Sequence, residues 1–423
     1  MGTEADRQET HAHNAAYPDP AQNTKILNNN VTEWLLGTVK IPNDRVDTRR
    51  PDTYSVRARY LRCLLAPNYT VFSNTASQDQ WIQEHGQDPS TSHYVVSLES
   101  PHNGIHLALG GFYQEGRFNG NPIHGASGDI GYNETGGFDP IFFFHHCFVD
   151  YTFSVWQRLW NRTKRGDLTL ITGYPGTILD EGQPPNLPKG TPLQMTTPLH
   201  PFKTPSGGDY TSDDATDLTE LGIAYSLGSL DSIIVKPATS GTSPFDIINP
   251  LVPDPMTLAG SNPNAANPFS VTKWVHNINR TQYEGSFVVR LYARGHDGKE
   301  VEVGREAVLS RWNVKGCRNC QSHLEVNLYV PIDAETLKLL EGPACPTGKK
   351  AEIDWLVKID AHDGLHKFPS DTPGKDCDGE PVERPQVDDL CVPKQQTKVT
   401  PQDWITWTKS WLGWAKPQDG VNR

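Results

Sequence analysis

Two short histidine-containing segments are the part of this sequence best suited to chemistry. The first reads HNGIH and places His102 and His106 one helical turn apart, on the same face of a helix. The second reads DPIFFFHHCFVD at residues 139–150 and contains the adjacent His145 and His146. Histidine is the commonest ligand of transition metals at neutral pH, and three imidazoles with one open position are typical of a catalytic metal site. The two segments therefore predict such a site.

The third ligand must come from one of two adjacent histidines. Neighbouring residues on a helix point about 100° apart, so only one of His145 and His146 can face an ion held by His102 and His106. The spacing alone leaves this choice open.

The two segments together resemble the second metal-binding half of the tyrosinase, catechol oxidase and hemocyanin superfamily. The shared pattern is H-N-x-x-H followed by D-P-x-F-x-x-H-H-x-x-x-D, and residues 97–103, SLESPHN, are similar to the fungal branch. The resemblance implies that the metal ligands are His102, His106 and His146, because the family places its ligand second in the histidine pair. His145 then orients or hydrogen-bonds the site.

The same resemblance limits the number of ions that we expect. Members of the superfamily bind two coppers between two pairs of helices, and the first copper needs three further histidines, typically within a Trp-His-Arg signature. This sequence contains no such triplet, and its histidines upstream of the first segment are His11, His13, His85 and His93. We therefore expect a single ion.

Three further side chains are predicted to serve the site. Glu99 precedes His102 by one turn, and the resemblance implies that it holds a metal-bound water together with Asn103. A carboxylate beside a metal ion could act as a general base, whereas a solvated glutamate at a helix start is the alternative. Phe142 precedes His146 by one turn and is expected to line the substrate pocket over the open position; a purely structural role is its alternative.

A single metal ion that is bound by three histidines favours non-redox chemistry. Zinc with one open position acts as a Lewis acid on a carbonyl or epoxide oxygen, or lowers the pKa of a bound water to about 7. Copper is the alternative cofactor, because it outranks zinc in the Irving–Williams order. We therefore expect one Zn²⁺ and a small-molecule substrate.

Among proteins with this truncated arrangement, the sequence looks like the fungal hemocyanin-like cyclopenases of quinolone alkaloid biosynthesis. The resemblance implies a zinc-dependent lyase that converts cyclopenin-type or cyclopenol-type benzodiazepinedione epoxides into viridicatin-type quinolones, with loss of methyl isocyanate. The competing hypothesis is a copper-dependent phenol or catechol oxidase, or a dioxygen-binding hemocyanin-like protein. A degenerate oxidase that serves only as a binding subunit is a third hypothesis.

Composition limits the kinds of binding partner and the cellular location that we expect for this protein. The chain has 423 residues and a net charge of −12, which disfavours nucleic acid because no basic stripe is present. No apolar run reaches membrane-spanning length, and the polar N-terminus does not resemble a secretory signal. Seven cysteines, including Cys317 and Cys320 in a lone C-x-x-C, suit reduced thiols. We expect a cytoplasmic protein without membrane or nucleic-acid partners.

The elements that must position the site suggest an α+β protein. Helical periodicity predicts helices near residues 54–65, 78–84, 92–109 and 139–160, whereas alternating patterns predict strands near 270–276, 285–292, 323–330 and 352–360. The prolines of residues 162–202 predict loop, a short helix is expected over 215–222, and a linker near 239–264. His93 and His124 receive no role in the site. We expect a flexible arm over residues 1–25, a tyrosinase-like helical metal-binding domain over 26–240 and an antiparallel β-sandwich over 241–423. The sandwich would end in a tryptophan-rich tail that suits a homodimer contact.

Overall fold

Five helices form the part of the chain that contains the histidine segments. In the computed structural model these are α1 (Val56–Cys63), α2 (Tyr69–Ser73), α3 (Thr75–His85), α4 (Glu99–Gly110) and α5 (Ile141–Leu159). The structure describes residues 31–32, 34–35, 55–85, 95–110, 129–179, 187–226, 269–283, 285–312, 314, 323–342, 353–361, 364–369 and 385–389. The four predicted helices are present, with ends that differ by up to seven residues.

Side-chain caps explain where several of these helices begin. The Ser55 hydroxyl accepts a hydrogen bond from the Ala58 amide at 3.0 Å, which starts α1. Asn74 caps α3 by accepting from the Ser77 amide at 2.8 Å. Before α5, the Asp139 carboxylate accepts from the Ile141 amide at 3.0 Å, as the Asp-Pro pair predicts.

The C-terminal half of α5 is fixed in the helical core. Trp156 is almost fully buried and stacks on Phe72 with ring centroids 4.7 Å apart. The Trp156 indole also donates to the Ala66 carbonyl at 2.9 Å, so its polar edge is paired. Because α5 is one continuous helix, this anchorage also determines where His145 and His146 lie.

Two antiparallel sheets follow. Their strands are β3 (Phe269–Asn279), β4 (Phe287–Arg294), β5 (Glu300–Val308), β6 (Glu325–Asp333), β7 (Asp354–Ala361), β8 (Gly364–Pro369) and β9 (Gln386–Asp389), and helix α6 (Ala334–Glu341) follows β6. One sheet has three strands in the order β6–β3–β9, and the other has four strands in the order β5–β4–β7–β8. Buried side chains of both sheets, among them Val275, Leu291 and Leu328, form one core. The α+β prediction is thus confirmed as helices plus antiparallel sheets.

Two sequence predictions between the helices and the sheets are wrong. Residues 162–202 were expected to be loop because they are rich in proline, yet strand β1 (Pro198–Lys203) pairs with β2 (Asp209–Thr211). Each strand of a two-stranded sheet has one edge with no neighbouring strand. A proline is tolerated at that edge, because the backbone N–H that it lacks would have no strand partner there. The helix predicted over residues 215–222 is replaced by a 3₁₀ turn at Ser212–Ala215, because Thr211 and Asp214 form a capping box.

Several predicted features lie outside the described residues. These are the arm at residues 1–25, most of the linker, the Cys317–Cys320 pair, the tryptophan-rich tail, and His11, His13, His93 and His124. All described residues belong to one compact unit, Met1–Leu390. The domain boundary at residue 240 stays a prediction. Within the described part of the chain, no helix combines the length and the apolar character that a bilayer crossing requires.

A buried polar cluster joins the metal-binding helix to the sheets. The Arg59 guanidinium on α1 donates to the Ser100 hydroxyl at 2.5 Å and to the Glu306 carboxylate on β5 at 2.6 Å. Ser100 donates in turn to Glu306 at 2.9 Å, and Arg59 also reaches the Arg305 carbonyl at 2.6 Å. Ser100 lies two residues before His102 on α4, so this Arg59–Ser100–Glu306 cluster connects the helix of the histidines to strand β5.

Gly304 allows the two sheets to approach each other closely. A Cβ at this position would lie 2.4 Å from the Cγ2 of Val330, which is itself fully buried. We predict that Gly304→Ala lowers the free energy of unfolding by about 1–3 kcal/mol, because extra volume in a packed core forces neighbours to shift. Chemical denaturation measures the change. Gly137→Ala is the control, since its Cβ would meet nothing within 4 Å; equal stability of both variants would contradict the packing argument.

Candidate metal centre

Four imidazoles converge between α4 and the start of α5. The Nε2 atom of His102 lies 3.1 Å from the Nε2 of His106 and 3.1 Å from the Nε2 of His146. His145 stacks on His102 with ring centroids 5.1 Å apart. The structure therefore brings together all three predicted ligands and the neighbour that was expected to orient them.

The opposite ring nitrogens of the three predicted ligands are held by hydrogen bonds. The Nδ1 of His106 donates to the Ile130 carbonyl at 2.5 Å, and the Nδ1 of His146 donates to the Phe142 carbonyl at 2.9 Å. The Nδ1 of His102 lies 2.9 Å from the Asn103 side-chain oxygen. Oxygens of this kind accept but do not donate, so each Nδ1 carries the proton and each Nε2 keeps a lone pair.

Burial keeps three of the four imidazoles uncharged. It lowers the pKa of His102 and of His106 to about 4, and that of His145 to about 3, well below the ordinary value of a histidine. Near neutral pH these three rings are therefore neutral. The Nε2 lone pairs of His102 and His106 then face each other with no hydrogen between them, which is unfavourable unless a cation lies among the rings. The donor set thus fits a transition metal ion.

His145 is more closely involved than the sequence suggested. Its Nε2 is buried and has no hydrogen-bond partner among the described residues. Ligand atoms of His102, His106 and His145 all lie within 4.8 Å of one another, which is close enough to share one ion. The geometry therefore allows His145 to serve as a ligand as well as an orienting neighbour. His146 combines a direct 3.1 Å approach with a fixed Nδ1 and remains our choice for the third ligand.

Phe142 lies beside the rings of the centre, and several exposed apolar side chains are its neighbours in sequence. The ring of Phe142 lies 3.9 Å from the ring of His146, centroid to centroid, and 6.0 Å from that of His106. Large apolar side chains next to it are exposed to solvent, namely Phe138, Ile141, Phe143 and Phe144. The position of Phe142 beside two candidate ligands is the one expected for a substrate-pocket residue.

Asn103 and Glu99 have different surroundings, although both were expected to hold a water. Asn103 is buried and contacts His102 directly through its side-chain oxygen. The Glu99 carboxylate instead accepts hydrogen bonds from the Thr75 amide at 2.8 Å and the Thr75 hydroxyl at 3.0 Å, at the start of α3. In the described structure Glu99 therefore stabilises a helix N-terminus, and its role as a general base stays a prediction.

Asn103 is expected to tune the metal affinity through His102. We predict that Asn103→Ala weakens metal binding about 10- to 100-fold, because partners that orient a ligand are typically worth that much. Competition with a chelator of known affinity measures the change. The comparison variant is Glu99→Gln, which should leave metal affinity unaltered. The same affinity in Asn103→Ala as in the unmodified chain would show that His102 needs no such support.

Sequence reasoning missed the backbone carbonyl that orients His106. Ile130 lies 24 residues beyond His106, in a 3₁₀ turn at Asp129–Gly131 that follows the glycine-rich stretch. No residue type marks such a contact, because every residue carries a carbonyl group. His85, the upstream histidine within the described residues, stacks on Trp81 and has no part in the cluster.

Comparisons with known proteins show which proteins this chain is similar to. Residues 3–159 match the family model described as the common central domain of tyrosinase. The chain is 39% identical over 381 residues to tyrosinase HcTyr2 of Hahella sp. (strain CCB-MM4), covering 88% of this chain and 62% of that protein. It is 37% identical to a tyrosinase of Aspergillus oryzae over 331 residues, covering 74% of this chain and 54% of that protein.

A solved structure supports the same relationship. The tyrosinase of Burkholderia thailandensis at high pH aligns with a TM-score of 0.59 and 36% identity, over 86% of this chain and 63% of that one. This chain thus spans less than two thirds of the length of each of these three relatives.

These comparisons correct the expected chemistry. The predicted non-redox lyase is wrong, because the similar proteins are tyrosinases, which are oxidases. The prediction followed from assigning one ion to zinc, but neutral imidazoles bind copper and zinc alike, so the ligand set could not distinguish them. The zinc and cyclopenase predictions find no support among the relatives, whereas the copper alternative fits them. The match to the tyrosinase central-domain model and the similarity to tyrosinases over most of this chain support a relationship to the tyrosinase, or type-3 copper, superfamily.

Proposed function

We propose that this chain binds copper through His102, His106 and His146 and catalyses the oxidation of phenolic or catecholic small molecules. The observation that carries the proposal is the convergence of three Nε2 atoms, two of them 3.1 Å from the third. The similarity to tyrosinases supports copper as the ion and a phenol as the substrate. Imidazole suits copper, which also binds such sites more tightly than the other divalent first-row metals.

When bound, copper supplies the electron transfer that couples oxidation of the substrate to reduction of dioxygen. The chain itself supplies the position of the aromatic ring. Phe142 lies beside the rings of His146 and His106, where a phenol could pack in an offset or edge-on arrangement. The unpaired Nε2 of His145 could accept a hydrogen bond from the substrate hydroxyl. The exposed aromatic side chains around Phe142 favour a substrate with an extended apolar surface.

The test combines metal content with turnover. The purified chain is loaded with copper, freed of loosely bound metal, and examined by elemental analysis and by oxidation of 4-tert-butylcatechol. We expect bound copper and formation of the quinone, and none from chain loaded with zinc. One copper per chain would correspond to the site described here, and two would show that residues outside the described part complete a pair. Catechol oxidation at the rate of free copper alone would overturn the proposal.

Phe142→Ala separates binding of the substrate from binding of the metal. The variant should retain copper, because the Phe142 side chain contacts the candidate ligands only through its ring and the Phe142 carbonyl that holds His146 remains in alanine. The KM for 4-tert-butylcatechol should rise with a smaller change in kcat, since burial of an aromatic ring contributes about 1.5–3 kcal/mol. Loss of copper together with activity would instead assign Phe142 a structural role.

A further inference from the structure

A cavity lies between α4 and the sheets. Its volume is about 430 Å³, within the usual range of small-molecule sites. It is bounded by α3 and α4 on one side and by strands β5 and β6 on the other, and none of the four histidines lines it. Glu99 and Asn103 of α4 contribute to its wall.

One positively charged side chain in this wall is incompletely hydrogen-bonded by the residues that the structure describes. The Nε of Arg280 is buried and has no hydrogen-bond partner among the described residues. Its charge faces Glu99 and Asp79 without forming an ion pair with either, and burial lowers the pKa of the guanidinium. A guanidinium in this state is best stabilised by a carboxylate, which can accept two parallel hydrogen bonds.

The carboxylates around Arg280 are not equivalent. Burial raises the pKa of Asp79 well above its ordinary range. Glu306 is neutralised by its ion pair with Arg59. Among the described residues, Glu99 and Glu325 form no such ion pair, and both line the same wall. The cavity thus offers one guanidinium and two carboxyl groups that are not held in ion pairs with each other.

The sheets provide an apolar wall. Ala307 and Val308 of β5 and Val326 of β6 line the cavity and are buried, and Leu309 and Leu324 extend the same surface. A ligand that satisfies the whole cavity therefore needs a negative group, a positive group and an apolar portion. These three features occur together in an α-amino acid with an apolar side chain.

We propose that this cavity binds a zwitterionic small molecule of the α-amino-acid class. Its carboxylate pairs with Arg280, its ammonium group faces Glu99 and Glu325, and its side chain packs against Val308 and Val326. This binding is independent of copper and of the proposed oxidase activity, because none of the candidate ligands takes part.

Isothermal titration calorimetry on the full chain tests the proposal with three probes that share one aryl group. L-phenylalanine carries both charges, 3-phenylpropionate only the carboxylate, and 2-phenylethylamine only the ammonium. None of them is a phenol, so none is a substrate for oxidation. We expect L-phenylalanine to bind, and each of the other probes to bind at least tenfold more weakly. No binding of L-phenylalanine, or equal binding of all three, overturns the proposal.

Variants then locate the site. Arg280→Gln should weaken L-phenylalanine binding at least tenfold, whereas Arg311→Gln, at an exposed position, should leave it unchanged. His106→Ala should also leave it unchanged; a loss there would place the ligand at the metal centre and overturn the proposal. Ala76→Phe fills the cavity from the α3 side and should abolish binding even if Arg280→Gln does not fold. Undiminished binding in Ala76→Phe contradicts the assignment.

Discussion

Replacing His106 with alanine is expected to lower copper affinity roughly a hundredfold or more and to abolish catechol oxidation. Even partners that merely orient a ligand are worth about 10- to 100-fold in affinity, and His106 contributes the donor atom itself. Its Nε2 lies 3.1 Å from that of His102, and its Nδ1 is fixed by the Ile130 carbonyl. Two remaining imidazoles would form a weaker and more mobile site. Copper competition with a chelator and oxidation of 4-tert-butylcatechol measure both effects.

The control for this variant is His296→Ala, which removes an exposed histidine at the turn between β4 and β5. It should retain copper and activity. Circular dichroism of the metal-free proteins then separates loss of the ligand from loss of the fold. If His106→Ala keeps the copper affinity of the unmodified chain, the ion is held by a different set, such as one that uses His145.

Arg59→Met is expected to lower the free energy of unfolding by about 3–5 kcal/mol, because removal of one partner leaves a buried charge uncompensated. The Arg59 and Glu306 side chains are only 7% and 15% exposed, and their charged atoms lie 2.6 Å apart. The variant also removes the donors for Ser100 and the Arg305 carbonyl. Urea denaturation of the metal-free chain measures the loss.

A double-mutant cycle shows whether the loss arises from the pair. Arg59→Met combined with Glu306→Leu should be more stable than Arg59→Met alone, because neither charge is then left buried. Arg294→Met is the matched control, since the Arg294 and Asp354 side chains of its ion pair are 40% and 36% exposed. Such a pair is worth about 0–1 kcal/mol. Additive effects in the cycle would mean that Arg59 stabilises the fold through its other contacts.

The same cluster is expected to link stability to the metal centre. Ser100 lies two residues before His102, so a shift of α4 away from β5 would also move two candidate ligands. The residual folded fraction of Arg59→Met should therefore bind copper more weakly than the unmodified chain.

The sequence by itself determined the local features of the site. The four-residue spacing of His102 and His106 requires a shared helix face, and the Asp-Pro pair before Phe142 indicates a helix start; both depend only on neighbours in the chain. For the same reason the alternating patterns identified four of the strands. The superfamily could also be recognised from these motifs, whereas the choice of zinc and a lyase could not, because ligand identity does not distinguish zinc from copper.

Only the tertiary structure decided what surrounds the histidines. The carbonyl of Ile130 orients His106, and the Thr75 amide donates a hydrogen bond to the Glu99 carboxylate. Ser100 donates a hydrogen bond to Glu306, which lies 206 residues later in the sequence. The burial of His145 Nε2, which has no hydrogen-bond partner among the described residues, is also decided by tertiary structure, because it depends on how α4 and α5 pack together. Such contacts join residues that are distant in sequence, and many of them involve backbone atoms that every residue carries. Local pattern therefore specifies which side chains can bind a metal, whereas packing between elements specifies their protonation, orientation and support.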